Sequence, residues 1–224
     1  VTVLSADDLQ DTDKIVCVGG IGAPTVGIEK VRGKQSYDAL IALENHLDVK
    51  ATALISNEIG GSNSLEPLIP AAISGLPVVD ADGMGRAFPE FQMKTFFVYG
   101  VPYAPMAIAD EKGNVAIIPK AITSKWVERI ARSITIQMGS VACYALAPMT
   151  AAQVRNTAVK DSLTLSKSLG DSVRNANKTK SDPINAMLEV NPGKVLYEGK
   201  ISGLQRKTTQ GFARGEVTVD GSGA

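Results

Sequence analysis

Three acidic residues and one arginine lie in glycine-containing segments, each of which follows an apolar run. Glu58 comes two residues after the end of KATALIS, and Asp80 and Asp82 belong to DADGMGR together with Arg86. A carboxylate at the end of an apolar strand costs free energy unless it is paired or functional. Asp80 or Asp82 can activate water, or the two can bind a divalent cation together with Glu58. The alternative is an Asp–Arg pair that stiffens the turn. No histidine accompanies the acids, so the presence of a metal stays open.

The segment EIGGSNS offers hydrogen-bond donors between an apolar run and a helix-like run. Gly60, Gly61 and Ser62 are expected to present backbone N–H groups at a helix N-terminus, with the Asn63 amide beside them. Such a place suits an anionic or carbonyl-bearing ligand. The alternative is a capping loop whose polar side chains satisfy only the local backbone.

The segment GGIGAPTVG follows a short apolar strand and is expected not to be helical, because it is rich in glycine. Gly19, Gly20 and Gly22 do not match the spacing of a dinucleotide-binding loop, and no acid follows on a second strand as a ribose partner. Glycines allow close approach of a ligand or of another backbone. The segment is therefore either a substrate-facing loop or a tight structural turn.

The cysteines and the single histidine give weaker signals. Cys17 and Cys143 are far apart and form no CxxC pair, which is typical of reduced, buried thiols. Cys17 as a nucleophile is a secondary possibility, since nothing nearby in the sequence lowers its pKa. His46 has polar neighbours on a predicted helix, so we interpret it as a surface residue.

The order of predicted elements indicates parallel β-α-β units. Apolar runs separated by amphipathic helices are typical of such units, and ligands bind beyond the carboxyl ends of their strands. We therefore expect the three glycine-containing segments to meet at one edge of the sheet. The predicted strands are 14–18, 50–56 and 76–82, and the predicted helices are 36–48 and 64–74, the second capped by Ser64 and ended by Gly75.

Later segments predict further strands, helices and a second domain. The sequence predicts an α/β domain with a mostly parallel sheet and flanking helices over 1–190, and the beginning of a small, truncated β domain over 191–224. SDPINAMLEVNPG is expected to be irregular, and DEKGN to form a hairpin turn. Strands are predicted for TFFVYG, APMAIAD, NVAIIPK, VACYALAPM, KVLYEGKISGLQRK and RGEVTVDG, and helices for 124–139, 150–157 and 161–178.

The composition excludes several classes of function. Lys plus Arg and Asp plus Glu each number 23 in 224 residues, so the formal net charge is zero. Nothing in this balance attracts nucleic acid or an anionic membrane, and weak self-repulsion favours a homo-oligomer. No apolar run reaches the roughly 20 residues of a membrane span, and VTVLSADDLQ is not a signal peptide. We expect a cytoplasmic protein with a small-molecule substrate.

Four strings resemble one known family. VGGIGAPTVGIEK, EIGGSNSLEPL, GLPVVDADGMGRAFPEFQM and ADEKGNV are similar to segments of the S-methyl-thiohydantoin desulfurase family, and the likeness runs from about residue 10 to about residue 160. RKTTQGFARGEVTVDG resembles the start of that family's C-terminal β domain. Members are often encoded beside, or fused to, hydantoinase/oxoprolinase-type proteins, so the resemblance implies such a partner.

The resemblance implies hydrolysis of a hydantoin-like ring in which water replaces an S-methyl group. Such a reaction needs a base, donors for the developing charge and an acid. Glu58, Asp80 and Asp82 are the candidates for base and acid. The amides of 60–62 with Asn63 are candidates for holding a ring carbonyl, and Arg86 for pairing a carboxylate. The alternative is a non-catalytic partner of a hydantoinase/oxoprolinase-type protein.

Overall fold

A computed structural model describes residues 1–31, 33–209 and 212–223 of the chain. The chain divides into two compact units, Val1–Ser162 and Leu163–Ala224. The sequence analysis put the domain boundary near residue 190, and that division into domains stays a prediction.

The first unit is built on a single sheet flanked by helices. Its strands are β1 (Val3–Leu4), β2 (Lys14–Gly22), β3 (Ala53–Ser56), β4 (Val78–Asp82), β5 (Met106–Ala109), β6 (Val115–Ile118), β7 (Val141–Leu146), β8 (Met149–Thr150) and β9 (Val159–Lys160). Its helices are α1 (Pro24–Glu29), α2 (Gln35–Leu47), α3 (Leu68–Ser74), α4 (Thr95–Val98), α5 (Ser124–Gln137) and α6 (Ala151–Thr157), with short 3-10 turns at Ala6–Asp8 and Phe91–Met93.

The strand order across the sheet is β1-β4-β3-β2-β7-β5-β6. Strands β1, β4, β3 and β2 are parallel to one another, whereas β7, β5 and β6 continue the sheet in antiparallel pairs. The short strands β8 and β9 pair with β2 and β4. This arrangement confirms the α/β class, and it makes β2, β3 and β4 direct neighbours whose carboxyl ends share one edge.

Successive residues of a strand point to opposite faces of the sheet. Both faces of this sheet are buried. On one face, Cys17 of β2 and Tyr144 of β7 belong to an apolar cluster with Phe96 of α4 and Val127 of α5. On the other face, Val18 is buried, and α2 contacts β7 and β5. The two faces of β2 therefore lead into different environments.

The second unit contains helices and a separate hairpin. It comprises α7 (Ser162–Thr179), whose first residue is counted with the first unit, then α8 (Pro183–Val190), β10 (Tyr197–Thr209) and β11 (Phe212–Gly223). Strands β10 and β11 pair with each other in antiparallel fashion, which confirms the small β-rich C-terminal unit.

The glycine-rich segment GGIGAPTVG was predicted to be a non-helical loop. In the structure it forms the end of β2 and the beginning of α1. Gly19 and Gly20 continue β2, because they pair in antiparallel register with Tyr144 and Cys143 of β7. Pro24 then opens α1 at a position where its missing N–H costs nothing. The tertiary pairing with β7 overrides the local weakness of glycine as a strand former.

Three other local predictions were wrong. TFFVYG forms α4 and its C-terminal turn, because burial of Phe96 decides its conformation more than β-propensity does. The expected irregular segment contains α8, whose start Asp182 caps by accepting from the Ile184 amide. Helix α3 begins at Leu68, and the Ser64 hydroxyl donates to the Gly60 carbonyl instead of capping the helix.

Gly22 gives a test of how tightly β2 is held against β7. Its φ is +133°, and a Cβ there would overlap the backbone of Ser140 and Val141. We expect Gly22→Ala to lower the free energy of unfolding by ~2 kcal/mol or more, since both strain and overlap add to the cost. Urea denaturation followed by circular dichroism measures the change. Gly61→Ala is the matched control, because a Cβ at Gly61 meets no atom within 4 Å; equal stability of the two variants would contradict this account.

Candidate active site

The Asn63 side chain joins the segments that follow β2 and β3. Its Oδ1 accepts a hydrogen bond from the Gly20 N–H at 2.7 Å, and its Nδ2 donates to Glu58 Oε1 at 2.7 Å. The Asn63 carbonyl in turn accepts from the Ser56 hydroxyl at 2.9 Å. Two of the three predicted segments therefore meet at the carboxyl edge of the sheet.

Glu58 extends this connection to the segment that follows β4. Its second oxygen, Oε2, accepts from the Phe88 N–H at 3.1 Å. The side chain is 9% exposed, so it is largely shielded from water. Both carboxylate oxygens are occupied, and the geometry suits a residue that positions the two loops.

Asp82 binds three backbone amides through one oxygen. Its Oδ2 accepts from Ile59, Met84 and Gly85, at 3.0, 3.0 and 2.7 Å. These hydrogen bonds to one buried carboxylate hold the segments after β3 and β4 together. Arg86 is exposed, and no ion pair joins it to Asp82 in the described part of the chain. The turn is stiffened by Asp82 and the backbone, not by an Asp–Arg pair.

The remaining predicted site residues lie at different depths. Asp80 is buried within β4, and its carbonyl accepts from the Asp161 N–H just after β9. Gly61 and Ser62 are exposed. The amides of 60–62 lie in a turn six or more residues before Leu68, so they are not at the N-terminus of α3. Gly19 packs against Asn57 and the Tyr144 hydroxyl, on the face opposite to Gly20.

A cavity lies beside this loop cluster, on the Gly20 face of the sheet. Gly20, Ser62, Glu66 and Cys143 line it, and the ion pair between Lys30 and Glu111 lies at its wall. Glu58, Asp80, Asp82 and Arg86 are not among the lining residues. Two of the three predicted segments, GGIGAPTVG and EIGGSNS, therefore border a hollow, while DADGMGR and the predicted acids lie outside its lining.

Cys143 and Glu66 form a polar pair inside the cavity. The Cys143 thiol donates to Glu66 Oε1 at 3.3 Å, and Glu66 is 5% exposed. Cys143 lies directly opposite Gly20 in the β2–β7 pair. Neither residue was predicted to belong to the site, because Glu66 lies at the start of an apolar, helix-like run and the β2–β7 pairing has no local sequence signature.

A second polar cluster lies on the opposite face of the sheet, around Lys94. The Lys94 ammonium is fully buried, 3.9 Å from the centre of the Phe91 ring and 5.0 Å from that of Tyr144. Burial lowers the pKa of Lys94 to about 8, against the attraction of Cys17, Glu128 and Glu58. Among the described residues, the Lys94 ammonium and the Tyr144 hydroxyl have no hydrogen-bond partner.

Cys17 belongs to this buried cluster and differs from Cys143. Burial raises the pKa of the Cys17 thiol to about 12, so the thiol stays protonated near neutral pH. A protonated, fully buried thiol is a poor nucleophile. The secondary possibility that Cys17 attacks a substrate therefore loses support.

The described residues contain neither a metal-binding cluster nor a membrane-spanning helix. Over residues 1–31, 33–209 and 212–223, no three or more His, Cys, Asp and Glu side chains are grouped so as to hold a metal. No helix in the same ranges has the length and apolar character to cross a membrane. His46 is exposed near the end of α2, as predicted.

Two family models cover nearly the whole chain. The model described as S-Me-THD-like, N-terminal domain, matches residues 1–120. The model described as S-Me-THD-like, C-terminal domain, matches residues 122–224. The chain belongs to the S-Me-THD-like family. The resemblance to the S-methyl-thiohydantoin desulfurase family is thereby confirmed, and the cavity combines residues of both matches, since Gly20 and Glu66 fall in the first and Cys143 in the second.

One solved structure shows the same fold in a longer protein. A Chromobacterium violaceum protein solved by X-ray crystallography matches with a TM-score of 0.75 and 29% sequence identity. The match covers 90% of this chain and 56% of that one, so the chain spans little more than half the length of that protein. No curated protein matches the chain.

The Lys94 cluster predicts an unusual pH dependence of stability. The unfolded chain keeps the Lys94 proton up to a pKa near 10.5, whereas the folded chain releases it near 8. Between these values the unfolded state binds more protons, so the free energy of unfolding rises with pH. Cys17 opposes this rise above a pH of about 9, where the unfolded thiol ionises and the folded one does not.

We expect the free energy of unfolding to rise by about 1 kcal/mol between about pH 7 and about pH 9, and Lys94→Met to abolish the rise. Urea denaturation across that range measures it. The exposed Lys125 of α5 supplies the control Lys125→Met, which should keep the wild-type slope. A slope unchanged by Lys94→Met would show that another group titrates.

Proposed function

We propose that the protein is a hydrolytic enzyme that replaces the S-methyl group of an S-methyl-thiohydantoin-like ring with water. The observation that carries the proposal is the cavity at the carboxyl edge of the sheet. It is bordered by the glycine strand end, the turn after β3 and the Cys143–Glu66 pair, in a chain of the S-Me-THD-like family. Ligands of open α/β sheets bind at this edge.

The ring carbon that bears sulfur is electrophilic, because two nitrogens and a sulfur are attached to it. Glu66 is a buried carboxylate that lines the cavity, so we assign to it the removal and return of protons during the reaction. The Ser62 hydroxyl and the Lys30 ammonium lie at the same cavity and favour negative charge that develops on the ring.

The predicted acids receive supporting roles in this proposal. Glu58 and Asp82 accept backbone and amide hydrogen bonds that fix the loops, so we assign them to positioning. Exposed Arg86 stays a candidate for pairing a substrate carboxylate, and Asp80 stays a candidate for base or acid. A hydantoinase/oxoprolinase-type partner and a homo-oligomeric state are further parts of the proposal.

The direct test incubates the purified full chain with S-methyl-thiohydantoin and measures the methanethiol that is released. Hydantoin, which contains no sulfur, is the comparison compound. We expect methanethiol and hydantoin to form in equal amounts, both detected by chromatography. A parallel reaction with a chelator determines whether a divalent metal takes part. No thiol release in any arm would contradict the proposal and support the accessory-partner alternative.

Glu66→Gln tests the assignment of the proton-transferring group. We expect it to lower the rate of methanethiol release by roughly 100-fold or more, because a positioned acid–base group contributes that much. Glu189→Gln on the exposed surface of α8 is the matched control and should leave the rate unchanged, since Glu189 does not line the cavity. Wild-type activity of Glu66→Gln would assign proton transfer to another residue.

A further inference from the structure

We propose that Cys143 is the nucleophile and forms a covalent bond to the ring carbon before water enters. This inference deepens the proposed function and rests on it. It starts from a contrast between the two cysteines of the chain, which lie on opposite faces of the same sheet. Cys143 lines the cavity, whereas Cys17 is enclosed in the apolar cluster.

The thiol of Cys143 has a base within hydrogen-bond reach. Glu66 Oε1 accepts a hydrogen bond from the thiol at 3.3 Å, and Glu66 is almost fully buried beside it. A nucleophile and a base that touch each other at the wall of a cavity are the arrangement that covalent catalysis needs. A thiol is also the side chain that attacks most readily once deprotonated.

The position opposite Cys143 keeps the cavity open. Gly20 pairs with Cys143 across the strands, and a Cβ at Gly20 would lie only 3.2 Å from Asn63 Oδ1. Because Asn63 is fixed by Glu58 and by the Gly20 amide, no side chain fits there without moving it. The glycine therefore leaves room beside Asn63, at the wall of the cavity that Gly20 and Cys143 both line.

The first half of the reaction balances as follows. Glu66 takes the thiol proton, and the Cys143 sulfur bonds to the ring carbon while the C=N electrons move to the ring nitrogen. As these electrons return, the bond from the carbon to the S-methyl sulfur breaks. The leaving methanethiolate takes the proton from Glu66 and departs as methanethiol.

The second half restores the enzyme. Glu66 removes a proton from water, and the hydroxide oxygen bonds to the ring carbon while the C=N electrons move to the ring nitrogen. As these electrons return, the bond to Cys143 breaks, and the thiolate takes that proton back from Glu66. The remaining hydroxyl proton moves to the ring nitrogen as the carbonyl forms. Water enters, methanethiol leaves, and nothing is oxidised or reduced.

Rapid mixing of the full chain with S-methyl-thiohydantoin tests the covalent step. We expect methanethiol to appear in a burst of about one per protein before hydantoin, because a covalent intermediate that accumulates releases its first product early. Acid-quenched samples should show by intact mass an adduct equal to the substrate less methanethiol. Peptide mapping should place the adduct on Cys143, and Cys17→Ser should keep both burst and adduct.

Cys143→Ala and Cys143→Ser should each lower methanethiol release by roughly 1,000-fold or more, because removing a nucleophile removes the covalent route. Circular dichroism checks that both variants fold. Release at the wild-type rate by either folded variant, or simultaneous appearance of both products without an adduct, would overturn the inference and leave the proposed hydrolysis intact. Absence of release by the wild type would instead overturn both.

Iodoacetamide labelling supplies a readout that does not depend on turnover. Cys143 should be alkylated in the folded protein, and Cys17 only after unfolding in urea, because only Cys143 borders the cavity. With two cysteines in the chain, mass spectrometry of the labelled peptides distinguishes the two sites. Failure of Cys143 to react faster than Cys17 in the folded protein would contradict an accessible nucleophile.

Discussion

The side chain of Asn63 is the interaction on which the candidate site depends. Its amide uses both ends, accepting from Gly20 and donating to Glu58, and its main chain accepts from Ser56. A buried polar group left without a partner costs far more than an average hydrogen bond contributes. Loss of this one amide would release both of its partners together, which ties the shape of the cavity wall to a single residue. Asp82, at the end of β4, also holds the segment after β3, because its carboxylate accepts a hydrogen bond from the Ile59 N–H.

Strand β2 separates two chemically different environments. Its even-numbered residues face the cavity through Gly20, and its odd-numbered residues face the aromatic enclosure of Lys94 through Cys17 and Gly19. The thiol on the enclosed side has a strongly raised pKa because of burial. The thiol on the cavity side, Cys143 of β7, touches a carboxylate instead. The two thiols therefore differ in their surroundings because they lie on opposite faces of one sheet.

Local chemistry and strand order were sufficient to predict part of this arrangement. Gly75 ends α3 in a left-handed conformation, as its position after an apolar helix indicates. The meeting of the loops after β3 and β4 followed from parallel β-α-β units. Cys143 could not be placed, because its pairing with Gly20 joins residues more than 120 positions apart in an antiparallel register. Lys94 escaped notice because its enclosure by Phe91 and Phe97 is completed by Tyr144 of β7, which lies in a distant part of the sequence.

The placement of the two cysteines on opposite faces of the sheet also determines how the protein meets oxidants. Cys17 and Cys143 cannot form a disulfide with each other, since the backbone of the β2–β7 pair lies between their side chains. A sulfenic acid formed on Cys143 would find no resolving thiol within its own chain. A small thiol that enters the cavity would trap the sulfenic acid as a mixed disulfide before further oxidation to the sulfinic acid. A reducing surrounding is thus a condition for keeping this sulfur in its reactive state.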